Sequence, residues 1–225
     1  PPKIYTTEYI ELTRKQRILY KEIRQGIVDN LENILEIPNP LSCTVRLRQL
    51  TGGVFGDDNP KLERVKDMLE EITESGHKAL IFSQWEQVTS VYKEALKAYN
   101  PAYIVGAVDP EDRQKEVDRF QNDPTCKVAI GTIGAMGTGL TMTAASYVFF
   151  VDKRYWDAEN KQAEDRAHRI GTTNTVNVVS LVATNTVDEG IEEMLRDNKA
   201  LFDRVVEGKG SRVDVGEILR KILQY

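Results

Sequence analysis

Several features that mark particular protein classes are missing from this chain of 225 residues. Its two cysteines, Cys43 and Cys126, lie far apart and lack the spacing of metal ligands. This disfavours both a disulfide framework and a structural metal site. No apolar run is long enough to cross a bilayer, and no signal peptide is visible. We therefore expect an intracellular domain with no membrane partner and no metal ligands.

An excess of basic residues is also missing. The 30 Lys and Arg residues are outnumbered by 35 Asp and Glu residues, which gives a net charge of −5. Tight, independent binding to duplex DNA usually requires a concentrated basic surface. Any contact with DNA should therefore be local and weak.

The chain also lacks the run G-x-x-x-x-G-K-[ST], whose backbone amides cradle nucleotide phosphates. Gly208-Lys209-Gly210 has the wrong spacing and follows no apolar strand. Asp188-Glu189 lies at a helix start, where Thr186 and Glu189 are expected to form a capping box instead of a metal-binding pair. The sequence therefore predicts that most of any nucleotide site is supplied from elsewhere.

Short apolar segments alternate with helical patterns over most of the chain. Strands are predicted at 79–82, 102–105, 128–130, 147–151 and 176–182, and helices at 85–98, 110–120, 158–169 and 187–204. This alternation is typical of an α/β fold with a doubly wound parallel sheet. In such a sheet the functional loops follow the carboxyl ends of the strands.

Extra elements are predicted at both ends of this alternating region. Before it, a strand at 5–12 leads into a helix that begins after Thr13, with Gln16 completing a capping box. A second helix at 42–51, a loop, and a third helix opened by Asn59-Pro60 follow. After it, residues 208–225 predict a Gly-punctuated linker and a short amphipathic helix.

The segment from Gln162 to Gly171 carries the strongest chemical signal. On a helix, Gln162, Arg166 and Arg169 stand at i, i+4 and i+7 and form one stripe. Guanidinium groups meet paired oxygens and stabilise charge on a transferring phosphoryl group, so a phosphate chain is the first candidate ligand. Taken alone, the stripe fits an ordinary solvated helix better, with Asp165 and Arg169 as an i, i+4 ion pair.

Two strand ends offer further candidate contacts. In the run Thr132 to Gly139, three glycines after a buried strand allow the backbone to approach a phosphate, although a tight turn without a ligand is about equally compatible. Ser83 and Gln84 leave the end of the strand at 79–82 and could donate to a DNA phosphate. The side chain of Trp85 is expected to pack, and Arg113 is expected to pair with a carboxylate.

Three segments, in this order, resemble the last motifs of the Swi/Snf family of ATP-dependent DNA translocases in helicase superfamily 2. Lys78 to Trp85 is similar to motif IV, Gly131 to Thr141 to motif V, and Gln162 to Gly171 to motif VI. The resemblance covers most of residues 1 to 207. It implies the second RecA-like lobe of a motor, with an N-terminal strand and helical protrusion at 1–58, the RecA-like domain at 59–207, and a linker with a brace helix at 208–225.

The resemblance also implies roles for individual residues. Arg166 and Arg169 would be catalytic arginine fingers; Gln162, Gly137 and Gly139 would line the nucleotide side; and Ser83, Gln84 and Thr132 would contact the DNA backbone. ATP with Mg²⁺ would be bound mainly by the first lobe of the same protein, and double-stranded DNA would run across both lobes. As a fragment the chain is expected to be monomeric and inactive, in a bacterial cytoplasm or nucleoid, a virus of bacteria, or a nucleus.

Two other functions are compatible with the sequence. One is a nucleic-acid or protein binding module that has kept the lobe but lost catalysis. The other is an unrelated nucleotide-binding α/β enzyme, which would bind a nucleotide without a partner. In the motor, substitution of Arg166 or Arg169 should abolish ATP turnover and leave the fold intact. A protein with no phosphate-cradling loop upstream or on a partner chain would favour the binding module, and nucleotide affinity of this lobe alone, which is not expected, would favour the unrelated enzyme.

Overall fold

A computed structural model of the chain describes residues 2–30, 44–136, 139–169 and 174–206. The predictions for the end of the first helix, for Gly137 and for the C-terminal linker and brace helix lie outside the described residues. The predicted division of the chain at residues 58 and 207 stays a prediction.

The helices and strands follow the predicted alternation. The helices are α1 (Arg14–Asn30), α2 (Val45–Thr51), α3 (Pro60–Glu74), α4 (Glu86–Ala95), α5 (Pro110–Asn122), α6 (Ile133–Met136), α7 (Asp157–Glu164) and α8 (Val187–Val206). The strands are β1 (Lys3–Ile10), β2 (Lys78–Ser83), β3 (Ala102–Ile104), β4 (Val128–Thr132), β5 (Ala145–Phe150) and β6 (Val176–Ala183). The first strand begins two residues earlier than expected, α6 was not predicted, and α7 ends sooner.

The strands form a six-stranded sheet in the order β1-β6-β5-β2-β4-β3. β2 pairs in parallel with both β4 and β5, β3 with β4, and β5 with β6. The chain leaves β2 toward one edge and returns to β5 on its other side, so the order reverses around β2. The predicted α/β fold with a doubly wound parallel sheet is confirmed.

The chain divides into two compact units, of which the first comprises Pro1–Glu8 and Lys61–Leu181. Its core is a cluster of apolar side chains from the sheet and the covering helices. Phe82 and Phe150 stack on neighbouring strands with ring centroids 5.4 Å apart. Burial of these apolar runs on both faces of the sheet explains why the strands lack polar alternation.

The second unit comprises Tyr9–Pro60 and Val182–Tyr225 and contains α1, α2 and α8. The buried Tyr20 hydroxyl accepts a hydrogen bond from the Val187 amide at 2.8 Å. The Asp188 carboxylate accepts from the Thr51 hydroxyl and the Ala183 amide, both at 3.1 Å. Asp188 therefore has a structural role. The Thr186 hydroxyl accepts from the Asp188 amide at 3.1 Å, while the Glu189 amide donates to the Thr186 carbonyl at 3.1 Å, so the predicted capping box of Thr186 with Glu189 differs in its partner.

The capping box predicted for α1 forms only in part. The Thr13 hydroxyl accepts from the Gln16 amide at 3.2 Å. The Gln16 side chain does not return to Thr13, because its amide donates instead to the carbonyls of Leu50 and Asp58 at 3.3 and 3.0 Å. A buried amide group is stabilised more by tertiary partners than by the exposed cap, so Gln16 joins α1 to the segment around α2.

We predict that Gly131→Ala destabilises the chain. A Cβ atom at Gly131 in β4 would lie 2.0 Å from the Ile104 carbonyl oxygen and 2.4 Å from the Met136 sulfur. Overpacking of this kind costs about 1–3 kcal/mol in the free energy of unfolding, measured by urea titration. Gly106→Ala is the matched control, since no heavy atom of the described chain lies within 4 Å of its Cβ position. Equal stability of the two variants would contradict the prediction.

Candidate functional site

Three strand ends of the first unit come together at the carboxyl edge of the sheet. Ser83 at the end of β2 is the register partner of Thr132 at the end of β4. On the other side of β2, Phe82 pairs with Phe150 at the end of β5. The residues predicted to contact DNA from motifs IV and V therefore lie on neighbouring strand ends, where ligands bind in sheets of this type.

A buried carboxylate joins the ends of β2 and β5. Asp152 is only 5% exposed, and its Oδ2 accepts from the Ser83 hydroxyl at 2.5 Å while its Oδ1 accepts from the Gln84 amide at 2.7 Å. The Ser83 hydroxyl in turn accepts from the Trp85 amide at 3.0 Å. Ser83 thus fixes the strand end from inside the protein, and its predicted donation to a DNA phosphate stays a prediction.

Gln84 and Thr132 differ from Ser83 in that their side chains are half-buried. The Thr132 hydroxyl accepts from the Ala135 amide at 3.4 Å, which caps the single turn of α6. These two side chains therefore reach the surface at the edge where three strands end. Trp85 is also half-buried, consistent with the expected packing role.

A fully buried lysine supports the same edge and was not found from the sequence. Lys61, in the first turn of α3, donates from Nζ to the Val151 carbonyl at 2.6 Å. Val151 itself donates from its amide to the Phe82 carbonyl at 2.9 Å. The lysine lies among the apolar positions of α3, and nothing in its sequence context separates it from the solvated lysines of that helix.

The loop between β5 and α7 is held by a reciprocal pair of hydrogen bonds. The Arg154 amide donates to Asn160 Oδ1, and Asn160 Nδ2 donates back to the Arg154 carbonyl, both at 2.9 Å. The Arg154 guanidinium pairs with Glu159 at 2.9 Å and lies 3.0 Å from the Cβ position of Gly134. Trp156 in the same loop is 67% exposed and lies outside the core.

The predicted helical stripe of Gln162, Arg166 and Arg169 is wrong, because α7 ends at Glu164. After Glu164 the backbone tightens, and the amides of Arg166 and Ala167 each bond to the carbonyl three residues earlier at 3.1 Å. Gln162 remains on the helix and is exposed. The two arginines lie in the following turn, residues 165–169, which we call the arginine turn.

Both arginines contact one short loop, residues 139–144, which begins within motif V and is called the support loop. Arg166 Nη1 donates to the Leu140 carbonyl at 3.2 Å, and the Arg166 carbonyl accepts from the Met142 amide at 2.9 Å. Arg169 Nη1 donates to the Thr141 hydroxyl at 2.6 Å. The two guanidinium groups are thus brought together on consecutive residues of the support loop.

The contacts of Arg166 with the described residues do not neutralise its positive charge. Among the residues that the structure describes, no carboxylate lies within ion-pair distance of this guanidinium, which also donates from Nε to the Gln162 carbonyl at 3.2 Å. Arg166 is half-buried and Arg169 is exposed. A guanidinium held by carbonyl oxygens keeps its positive charge available for an anion.

The sequence also made predictions for Gly139 and Arg113, and the place of Gly139 on the nucleotide side stays a prediction. Gly139 begins the support loop with φ of +72°, a conformation that side chains other than glycine's rarely adopt. The prediction that Arg113 pairs with a carboxylate is wrong. Its Nε donates to the Val108 carbonyl at 2.9 Å, and Arg113 forms no ion pair with any residue of the described ranges. Arg113 is therefore a support of the segment before α5.

Asp165 pairs with a residue from the other end of the sequence instead of with Arg169. Lys3 Nζ lies 2.7 Å from Asp165 Oδ1 and 3.1 Å from Glu164 Oε2, and the Tyr5 hydroxyl donates to the same Glu164 oxygen at 2.9 Å. Burial lowers the pKa of Lys3, but the bonds and charges of the two carboxylates outweigh it and raise that pKa overall. Burial and the Glu164 charge raise the pKa of Tyr5.

The described ranges contain neither a metal-binding cluster nor a membrane-spanning helix. No group of three or more His, Cys, Asp or Glu side chains is placed there to hold a metal ion. None of the described helices combines the length and apolar character that crossing a bilayer requires.

Comparison with known proteins agrees with the arrangement at the carboxyl edge. The model of the helicase conserved C-terminal domain matches residues 60–171, which include motifs IV, V and VI. In the solved structure of the Sulfolobus solfataricus SWI2/SNF2 ATPase core in complex with dsDNA, a similar fold covers 99% of this chain and 50% of that chain, with a TM-score of 0.77 and 27% identity. The chain is a second RecA-like lobe of the Swi/Snf family.

Two curated relatives support this membership of the Swi/Snf family. An uncharacterized ATP-dependent helicase of Mycoplasma pneumoniae is 28% identical over 216 residues, which cover 92% of this chain and 21% of that protein. Protein CHROMATIN REMODELING 19 of Arabidopsis thaliana is 34% identical over 174 residues, which cover 72% of this chain and 23% of that protein. The Swi/Snf lobe thus spans between a fifth and a quarter of the length of these relatives.

We predict that Asp152→Ala destabilises the Swi/Snf lobe by about 1–3 kcal/mol in the free energy of unfolding, because it leaves the Ser83 hydroxyl and the Gln84 amide without their acceptor. Ser83→Ala removes only one of the two donors and should cost less. Asp112→Ala, at an exposed ion pair with Lys115, is the control and should leave the urea midpoint unchanged. A change of similar size in the Asp112 and Asp152 variants would refute the role given to this carboxylate.

Proposed function

We propose that this lobe is the second half of an ATP-dependent DNA translocase. The arginine turn would face a nucleotide held by the first lobe, and the carboxyl edge would contact the DNA backbone. The observation that supports this most directly is the placement of Arg166 and Arg169 side by side on the support loop, with Arg166 held by carbonyl oxygens. The family membership gives the role that such a pair would serve.

Both arginines would act when the cleft between the lobes closes. A guanidinium group stabilises the charge that spreads over the phosphoryl oxygens in the transition state of ATP hydrolysis. Because the support loop fixes Arg166 through its backbone and its side chain, the group would be oriented before the nucleotide arrives. Gln162, Gly137 and Gly139 are proposed to border the same nucleotide.

The nucleotide and its Mg²⁺ are proposed to be held mainly by the first lobe. The described residues of this lobe contain no cluster of carboxylates that would coordinate the ion, and the sequence contains no phosphate-cradling loop. The isolated lobe should therefore bind ATP weakly and hydrolyse none. Magnesium bound by the first lobe would neutralise phosphate charge.

DNA is proposed to contact Gln84, Thr132 and Ser83 at the ends of β2 and β4. The half-buried Gln84 and Thr132 side chains offer neutral donors, which suit phosphate oxygens and carry no sequence preference. Ser83 would contribute a contact only if its bond to Asp152 is exchanged. Since the whole chain is acidic, these contacts would give weak binding without the first lobe.

We predict that Arg166→Ala, made in the protein that carries both lobes, lowers kcat for ATP hydrolysis by about 10³-fold or more, since arginine fingers contribute on that scale. The KM for ATP should change much less, because the group acts in the transition state. Arg169→Ala should give a loss of the same kind.

Arg64→Ala is the matched control for these arginine variants. Its guanidinium lies on α3 and pairs with Glu8 at 2.9 Å, away from the carboxyl edge of the sheet. It should keep kcat within about twofold of the original protein. Normal turnover in Arg166→Ala would refute the arginine-finger role. Absence of ATP turnover in the original two-lobe protein would favour the binding module, and nucleotide affinity of the isolated lobe would favour an unrelated enzyme.

We predict that the double substitution Gln84→Ala and Thr132→Ala weakens DNA binding by the two-lobe protein about 5- to 30-fold, the scale expected for two lost hydrogen bonds. Because both side chains are neutral, the slope of log affinity against log salt concentration should not change. Gln114→Ala, on the exposed face of α5, is the control and should bind DNA normally. The proposed contacts would be contradicted if the double variant changed the slope of log affinity against log salt concentration while its DNA affinity at one salt concentration stayed the same.

A further inference from the structure

We infer that Glu164 is a positioning residue for ATP hydrolysis, which fixes the arginine turn to the first strand of the lobe through Lys3 and Tyr5. The inference rests on the proposed function of Arg166. Glu164 is assigned no contact with the nucleotide, so it would act only through the placement of Arg166.

The side chain of Glu164 is buried and hydrogen-bonded to two residues of β1. It is the last residue of α7, its side chain is 6% exposed, and its Oε2 accepts from Lys3 Nζ at 3.1 Å and from the Tyr5 hydroxyl at 2.9 Å. A buried carboxylate that loses its donors is strongly disfavoured. The side chain is therefore held against β1 whenever this unit is folded.

The backbone of Glu164 shapes the arginine turn. Its carbonyl accepts from the amides of Ala167 and His168 at 3.1 and 3.2 Å. One residue thus ends the helix, accepts two of the backbone bonds of the turn, and is fixed by its side chain to another element. Arg166 follows two residues later, within the turn that these bonds define.

The first strand is a firm support for this residue. β1 lies beside β6 in the sheet, and the Pro2 carbonyl accepts from the Val176 amide at 3.3 Å. Lys3 also pairs with Asp165, so the consecutive carboxylates of Glu164 and Asp165 both contact β1. The arginine turn is therefore held from two sides, by β1 through Glu164 and Asp165 and by the support loop through Arg166 and Arg169.

Loss of one of these supports should misplace the guanidinium without removing it. A displacement of about 1 Å at a catalytic group can lower turnover about 100-fold. We expect Glu164→Ala to lower kcat of the two-lobe protein about 10- to 100-fold, with KM for ATP within about twofold. Glu164→Gln keeps an oxygen acceptor for Tyr5 and should recover most of the lost turnover.

The decisive measurement is a double-mutant cycle with Arg166→Ala in single-turnover hydrolysis. If Glu164 acts through Arg166, adding Glu164→Ala to the Arg166→Ala variant has no further effect. A residue that only stabilises the fold would lower turnover by the same factor in both backgrounds. Glu94→Ala, at an exposed ion pair with Lys97, is the control and should leave kcat unchanged.

The outcomes separate this inference from the function on which it rests. Normal turnover in Arg166→Ala overturns the proposed function, whereas lost turnover there with normal turnover in Glu164→Ala overturns only the positioning role. If Glu164→Ala fails to fold, the pair Lys3→Met and Tyr5→Phe removes the same contacts from β1 and leaves α7 intact. That pair should lower kcat with the same dependence on Arg166, and independence from Arg166 would refute the inference.

Discussion

The buried carboxylate of Asp152 is the interaction on which the carboxyl edge of the sheet depends. A carboxylate shielded from water has to be fully hydrogen-bonded, and here both oxygens accept from the end of β2. The neighbouring Val151 carbonyl accepts from the buried Lys61 ammonium. These bonds set the positions of β2 and β5 relative to each other, and therefore of the segments that leave them.

The segment that leaves β5 leads from this carboxylate to the arginine turn. Hydrogen bonds between Arg154 and Asn160 fix its first part. It then continues through α7 to the arginine turn, where Arg166 contacts the support loop. The support loop begins within motif V, whose first residues are proposed to meet DNA. The proposed DNA contacts and the proposed nucleotide contacts are therefore linked by a few hydrogen bonds, which would give a motor a physical route between them.

The sheet could be predicted because its strands are short apolar runs between helical patterns, and the motif residues could be placed because they follow those strands. The end of α7 could not, because the i, i+4, i+7 pattern continues to Arg169 while the helix stops at Glu164. The bonds that stop it come from Lys3, more than 160 residues away, and from the support loop. Local periodicity contains no information about such partners.

The chain is acidic overall, yet its carboxyl edge and arginine turn are proposed to contact phosphates. These two features are compatible because the nearby carboxylates are paired with basic side chains. The carboxylates near the arginine turn are occupied, Glu164 and Asp165 by Lys3 and Glu159 by Arg154. Within the described part of the chain, Arg166 donates to carbonyl oxygens, which orient a guanidinium without cancelling its charge. Because a screened surface charge acts over only about 10 Å at ordinary ionic strength, this local pairing matters more for binding a phosphate than the sum over the whole chain.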